Sequence, residues 1–453
     1  MSTLRRARLH QLIARERALY SASHPKSSAA FEAAQANLFG GVPMTWMVKW
    51  SGGFPLYLDR ARGNRVSDID GHTYVDFALG DTGAMAGHSP EPTVKAINDR
   101  VAVSGGLTTM LPSQDAAWVG AELTRRFGLP LWSFALTATD ANRWALRLAR
   151  LATGKPKVLA FSYCYHGSVD ETVVIVGDAG ETLARPGNVG PQVDPAQTTR
   201  VAEFNDLASV ESALAYGDVA VVITEPALTN IGIVLPEPGF LDGLRELCTS
   251  YGSLLLIDET HTFSAGPGGM TKANGLQPDI FVIGKSIAGG IPIGAYGITR
   301  ELADRIDADP DADLVDVGGV GGTLAGNALS MAAARATLGE VLTDDAFVRM
   351  TSLATQFTAG VQGALDSCDV PWTVRQLGAR AEYRFARPAP RTGTSSARAG
   401  DDDLDEYMHL YTLNRGVLLT PFHNMALMCP TTTTVDVDLH TKVFTEAVNE
   451  LYG

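Results

Sequence analysis

LLLIDETHTFSAGPGGMTKANGLQPDIFVIGKSIAGGIPIGAYG, residues 254–297, is the stretch whose reading decides the fold. It contains two runs, SLLLIDE (253–259, begun one residue earlier) and DIFVIGK (279–285), that are nearly continuous in apolar residues. A strand with one wet face alternates apolar and polar residues, whereas a strand covered on both faces does not. Upstream, KVLAFS (157–162) and VAVVITEP (219–226) read the same way, and IGAYGIT (293–299) follows downstream. Helical segments such as PGFLDGLRELCTSY (238–251) lie between them. Alternating strands and helices predict βαβ units, hence an α/β fold with a mostly parallel sheet flanked by helices.

In such sheets ligands bind beyond the carboxyl ends of the strands. Those ends carry Tyr165 and His166, Glu225, Asp258 and Lys285. Lys285 closes an apolar run and precedes Gly289-Gly290 and Pro292, where the chain turns tightly. The chain has eight lysines against twenty-eight arginines, and this one has the most apolar, glycine-rich setting. A partly desolvated lysine favours the free amine that forms Schiff bases; the plain alternative is a structural lysine reaching for solvent. Asp258 ends a buried strand, so its carboxylate needs a partner. A pyridinium N–H would serve and would make a pyridine cofactor an electron sink; an N-cap or ion pair is the plain alternative. Glu259, one residue on, is expected to face the other way.

LTATDANRWALRLARLATG (136–154) reads as a loop entering an amphipathic helix, with Trp144, Leu148 and Leu151 on one face. Thr137, Ala138 and Thr139 at its start suit an anion such as a phosphate, with simple N-capping as the alternative. SYCYHGSVDE (162–171) sets Tyr165 past a strand end, where an aromatic face can stack on a pyridine ring. VGGVGGTLAGNALSM (317–331) is glycine-rich with Thr323 in its loop, and it runs into a helix of small residues.

With 453 residues, 45% hydrophobic and 19% charged, the chain has material for more than one domain. The expected division is an N-terminal segment over 1–75 packing with a small domain, a large domain over 76–335, and a small α+β domain over 336–453. PLYLDRARGNRVSDIDGHTYVDF near residue 70 predicts short strands joined by a turn at Asp70-Gly71. VRQLGARAEYRF (374–385) predicts a strand, and the acidic, proline-rich run 387–407 a solvated loop leading into a helix. Leu4, Leu12 and Leu19 predict an N-terminal surface helix. A net charge of -14 argues against nucleic acid or an anionic membrane as partner. Cys164, Cys248, Cys368 and Cys429 show no metal-ligand spacing, so no metal is expected, and a reducing, cytoplasmic setting is.

Together these segments resemble the class III, fold-type I pyridoxal-phosphate aminotransferases, in the branch of glutamate-1-semialdehyde 2,1-aminomutase and the β-amino-acid aminotransferases. The resemblance runs from GGVP (40–43) to the end and is most specific over 254–297, YCYHGSVDE and GGTLAGNALSM. It implies pyridoxal 5'-phosphate as cofactor, with Lys285 carrying it as a Schiff base and moving protons, and Asp258 on the ring nitrogen. It further implies Tyr165 stacked on the ring, Asn230 near the phenolic oxygen, and Thr137, Ala138 and Thr139 at the phosphate. Thr323 would reach the phosphate of a neighbouring subunit, which implies a homodimer with sites at its interface. The family's phosphate-helix glycine is Ala138 here. The branch's substrate-gripping arginine is also missing: GGVPMTWMVKW offers Trp46 and Met47 instead. Arg380 is a candidate carboxylate clamp, with a surface or interdomain ion pair as its alternative, and His166 and His423 are candidate pocket residues, each with a core histidine as its alternative.

The leading functional expectation is ping-pong transamination between an amine or amino acid and a carbonyl acceptor, with Lys285 as general base. The alternatives are an intramolecular 2,1-aminomutase of the glutamate-1-semialdehyde type and an inactive cofactor-binding protein.

Overall fold

Strand Val219–Thr224 is buried at every residue, as are Leu254–Asp258 and Ile280–Gly284. These continuous apolar runs can only sit inside a sheet covered on both faces. The computed structural model describes residues 4–453, which fall into two compact units.

The large unit spans Glu91–Asp344 and Pro390–Arg398. Its centre is a seven-stranded sheet in the order Leu131–Ala135, Gly294–Ile298, Ile280–Gly284, Leu254–Asp258, Val219–Thr224, Lys157–Phe161, Thr199–Ala202. Gly294–Ile298 runs antiparallel to both neighbours, and the other pairings are parallel. The reason is local. The link from Gly284 to Gly294 is too short for a crossover helix, so the chain reverses, through a turn with Gly289 at φ 58 and Gly290 at φ 102. The two outer strands were not among the apolar runs. Leu131–Ala135 is only half-buried along most of its length. Thr199–Ala202 carries Arg200, which pairs with Asp218 at 2.8 Å.

Helix Ala138–Thr153 packs on this sheet through Ala141, Ala145, Leu146, Leu148 and Ala149. Trp144 and Leu151, expected on the apolar face, pack against this core while only partly buried. Helix Phe240–Ser250 buries Phe240, Leu241, Leu244 and Cys248.

The small unit comprises residues up to Pro90, Asp345–Ala389 and Ala399–Gly453. Strands Leu58–Arg62, Arg65–Asp68 and Thr73–Asp76 form an antiparallel meander, joined on its far edge by Val417–Leu418 in parallel. The predicted single strand over 374–385 is instead a hairpin of Thr373–Leu377 and Arg380–Arg384. Gly378, at φ 57, permits the reversal. The N-terminal helix, Arg6–Ser23, buries Leu9, Leu12, Ile13, Glu16 and Tyr20. Leu19 is exposed, so the leucine periodicity named only part of the packing face. The acidic run begins a helix: Asp401 caps Asp402–Leu413 by accepting from the Leu404 N–H, and acidic side chains suit a helix start. All four cysteines are free thiols. Among the described residues no helix is long and apolar enough to cross a membrane.

His440, on the last helix, is fully buried and packs with its ring centroid 4.2 Å from that of Phe357. Neither ring nitrogen has a hydrogen-bond partner. Burial pushes its pKa down to about 3. The native state keeps it neutral, while the unfolded chain takes up a proton below the ordinary imidazole value. Its drain on stability is therefore absent at neutral pH and grows as pH falls through the window between those values. His440→Phe is expected to gain on the wild type by about 2 kcal/mol more near pH ~5 than near pH ~8. Urea unfolding at both pH values checks this; a pH-independent difference would refute it.

Candidate active site

Asp258 ends the central strand and is fully buried. Its carboxylate is compensated on three sides. Oδ2 accepts from Asn142 Nδ2 at 2.9 Å and from His166 Nδ1 at 2.9 Å, and Oδ1 accepts from the Thr260 N–H at 3.0 Å. Burial works to raise its pKa, but the His166 hydrogen bond and charge prevail and hold it down at about 2. Burial likewise disfavours charge on His166, yet Cys164 and Asp258 raise it well above the ordinary imidazole range. Asp258 is thus an ionised carboxylate in a dry setting. His166, expected against a substrate, lies buried behind Asp258 and meets that carboxylate instead.

Asn142 also donates to the His166 carbonyl at 3.1 Å, tying the helix to the turn after Lys157–Phe161. The Thr139 hydroxyl accepts from the Ser168 N–H at 3.3 Å. A Cβ on Gly167 would fall 1.9 Å from that hydroxyl, so only glycine allows this contact. Tyr165, half-buried in the same turn, is held between these anchors.

The helix start approaches the sheet with equal closeness. Gly284 and Gly294 pair across their strands. A Cβ on Gly294 would lie 2.2 Å from the Thr137 carbonyl, and one on Gly284 3.0 Å from the Ala138 Cβ. The methyl of Ala138, where a glycine was expected, is accommodated because the residue facing it has no side chain. Thr137 is the N-cap and accepts from the Asp140 N–H at 3.1 Å.

Lys285 follows strand Ile280–Gly284 in the left-handed region at φ 50, half-buried. Its Nζ lies 2.7 Å from His261 Nε2. Asn230 Oδ1 accepts from Arg185 Nη1 at 2.8 Å, and the Arg185 guanidinium stands over the Tyr163 ring. Thr323 is exposed in the loop before helix Ala328–Ala336. Lys285, Asp258, Thr137, Ala138, Thr139, Tyr165, Asn230 and Thr323 all belong to the large unit.

Trp46, Met47, Arg380 and His423 belong to the small unit. Trp46 packs edge-on against Phe422 at 5.7 Å, and Met47 is exposed. Glu382 sits between His423 Nδ1 and the Arg380 guanidinium, each at 3.5 Å. Arg380 is fully buried against this carboxylate, an ion pair inside the small unit and not at the surface.

Sequence reading missed Asn142, Arg185 and His261. Asn142 lay inside the quoted helix, one turn from its start, and His261 three residues past Asp258; spacing gave no sign of their direction. A separate trio, His24, Asp68 and His72, gathers ligand-type atoms within 4.8 Å of one another. It is knit by its own hydrogen bonds, Tyr74 to Asp68 at 2.7 Å and His24 Nδ1 to the Tyr20 carbonyl at 2.8 Å.

Residues 47–448 match the family described as Aminotransferase class-III. A solved structure titled a glutamate-1-semialdehyde-aminomutase from Pseudomonas aeruginosa PAO1 is 49% identical, covers 99% of each chain and superposes with a TM-score of 0.95. A lysine-to-alanine form of that protein, titled as in complex with PMP, is 48% identical with the same TM-score of 0.95. The glutamate-1-semialdehyde 2,1-aminomutase of Nitratidesulfovibrio vulgaris (strain DP4) is 34% identical over 87% of this chain and 92% of its own. An omega-transaminase from Sphaerobacter thermophilus is 27% identical, covering 94% of this chain and 98% of its own, with a TM-score of 0.84.

Removing one partner of a buried charge pair leaves the other uncompensated. His166→Phe is expected to cost about 3–5 kcal/mol in urea unfolding, and adding Asp258→Asn should return part of that loss. A double variant as unstable as His166→Phe alone would mean the buried charge is not what His166 balances.

Proposed function

Given that this chain belongs to the class-III aminotransferase family, we propose that it moves an amino group between adjacent carbons of one substrate, as a 2,1-aminomutase of the glutamate-1-semialdehyde type. The observation that carries this reading is likeness to aminomutases along nearly the whole chain. It reverses the order in which the sequence ranked the two chemistries.

The family's cofactor is pyridoxal 5'-phosphate, and the large unit fits it. Asp258, ionised and dry, matches a protonated ring nitrogen. The start of helix Ala138–Thr153, drawn against Gly284 and Gly294, suits the phosphate. Tyr165 offers an aromatic face and Lys285 an amine. When bound, the cofactor supplies a carbonyl carbon that holds the amino group and a ring that takes up electrons as a proton leaves carbon.

The protein residues divide the remaining work. Lys285 anchors the cofactor through Nζ. Once displaced by substrate, that nitrogen carries a proton from the carbon that loses it to the carbon that gains it. His166 keeps Asp258 charged, Asn142 aims it, and Asn230 acts with Arg185 beside the turn that bears Tyr165. Thr323 completes the phosphate site of a neighbouring subunit in a homodimer, and the enzyme works in a cytoplasmic setting. Migration of the amine from C2 to C1, with the carbonyl moving from C1 to C2, is an isomerisation and needs no second substrate.

Intermolecular transamination is the second reading. Trp46 and Met47, which stand where the branch usually has an arginine, favour it, because neither offers a charge to a substrate carboxylate.

Holoenzyme given glutamate-1-semialdehyde alone is expected to make the isomeric amino ketone over many turnovers. Product limited to one equivalent per active site, unless a keto acid is added, would favour transamination. Lys285→Ala should lower turnover by at least about 100-fold, and full activity in that variant would remove Lys285 from its role.

A further inference from the structure

His261 has no part in the roles so far assigned, yet its Nε2 stands 2.7 Å from Lys285 Nζ. At that distance one nitrogen must donate and the other accept. An ammonium has only donors, so a charged Lys285 requires an unprotonated Nε2; a free amine instead accepts from an Nε2–H. Two cations so close repel strongly. The pair therefore holds its proton on one nitrogen or the other.

The turn that presents His261 is fixed from both sides. Asp258 accepts from the Thr260 N–H at 3.0 Å. Glu259 faces away from Asp258, and its buried carboxylate accepts from Thr262 Oγ1 at 2.6 Å, Thr271 Oγ1 at 2.6 Å, the Met270 N–H at 3.2 Å and the Thr271 N–H. Gly269, at φ 62, lies so close that a Cβ there would sit 2.6 Å from Glu259 Oε2. These contacts hold a short turn between two buried carboxylates, and His261 projects from it onto the lysine. Lys285 is in turn held by its left-handed backbone.

We propose that His261 is the proton partner of Lys285: it takes a proton from Nζ when the lysine has stripped one from substrate carbon, and gives it back for delivery. The Nζ–H bond breaks as the Nε2 lone pair forms a new N–H bond, and the return step reverses this, so no external acid or base is consumed. Imidazole suits the task because its ordinary pKa lies near neutrality. The inference rests on Lys285 being the cofactor-bearing amine.

The test compares three holoenzyme variants with the wild type. His261→Gln can still hydrogen-bond the lysine but cannot carry a proton. It is expected to retain the cofactor's visible band, to lose about 10- to 100-fold in kcat with little change in KM, and to shift the pH midpoint of the resting absorbance by at least about one unit. His261→Ala should recover activity with added imidazole. Wild-type kcat and an unshifted midpoint in His261→Gln, or no imidazole rescue of His261→Ala, would overturn the proposal. Lys285→Ala separates the two levels: if it keeps full turnover, the reading of Lys285 fails; if it is inactive while His261→Gln is normal, only the role of His261 fails.

Discussion

A carboxylate taken out of water at the end of a central strand costs several kcal/mol unless it is paired and hydrogen-bonded. Asp258 meets that demand through His166, Asn142 and the Thr260 N–H, and much of the large unit is arranged around doing so. His166 comes from the turn after Lys157–Phe161, Asn142 from the helix after Leu131–Ala135, and Thr260 from the chain beyond Asp258 itself. One buried charge thus draws two segments, 116 and 92 residues away in sequence, to the end of its own strand. The same charge is the group a pyridine nitrogen needs. The His166 pairing that makes the burial tolerable also keeps Asp258 ionised.

The second constraint is backbone proximity. Helix Ala138–Thr153 begins against two glycines paired across Ile280–Gly284 and Gly294–Ile298. Those strands are antiparallel because the link between them is too short for a crossover. That short link also carries Lys285. The turn which reverses the chain therefore places the Lys285 amine beside the strand whose glycine admits the helix start. A glycine exchanged for alanine at residue 138 is tolerable because space was already provided on the opposite side.

Alternation along the strand separates two jobs between neighbours. Asp258 meets His166 and Asn142, whereas Glu259 faces Thr262, Thr271 and Met270 and staples the following turn. Consecutive strand residues point to opposite faces, so two adjacent acids serve two different environments. Burial raises the pKa of Glu259 despite its donors, while the histidine beside Asp258 keeps that carboxyl low.

The local pattern was enough to determine the buried strands, their largely parallel arrangement and the strand-end positions of Asp258 and Lys285. Continuous apolar runs have only one stable location, and glycine and proline mark where such runs must stop. The edge strands escaped notice because Leu131–Ala135 is only partly buried and Thr199–Ala202 is interrupted by Arg200, and 374–385 read as one strand because a single glycine at φ 57 was the only sign of its turn. Residue type also could not say toward what a side chain points. His166 is buried against Asp258, Arg380 against Glu382, and His261 reaches Lys285 from 24 positions away in the chain. Those pairings depend on how the sheet sets the ends of different strands side by side. Only the tertiary structure decides that, because direction in space is a property of packed elements and not of spacing along the chain.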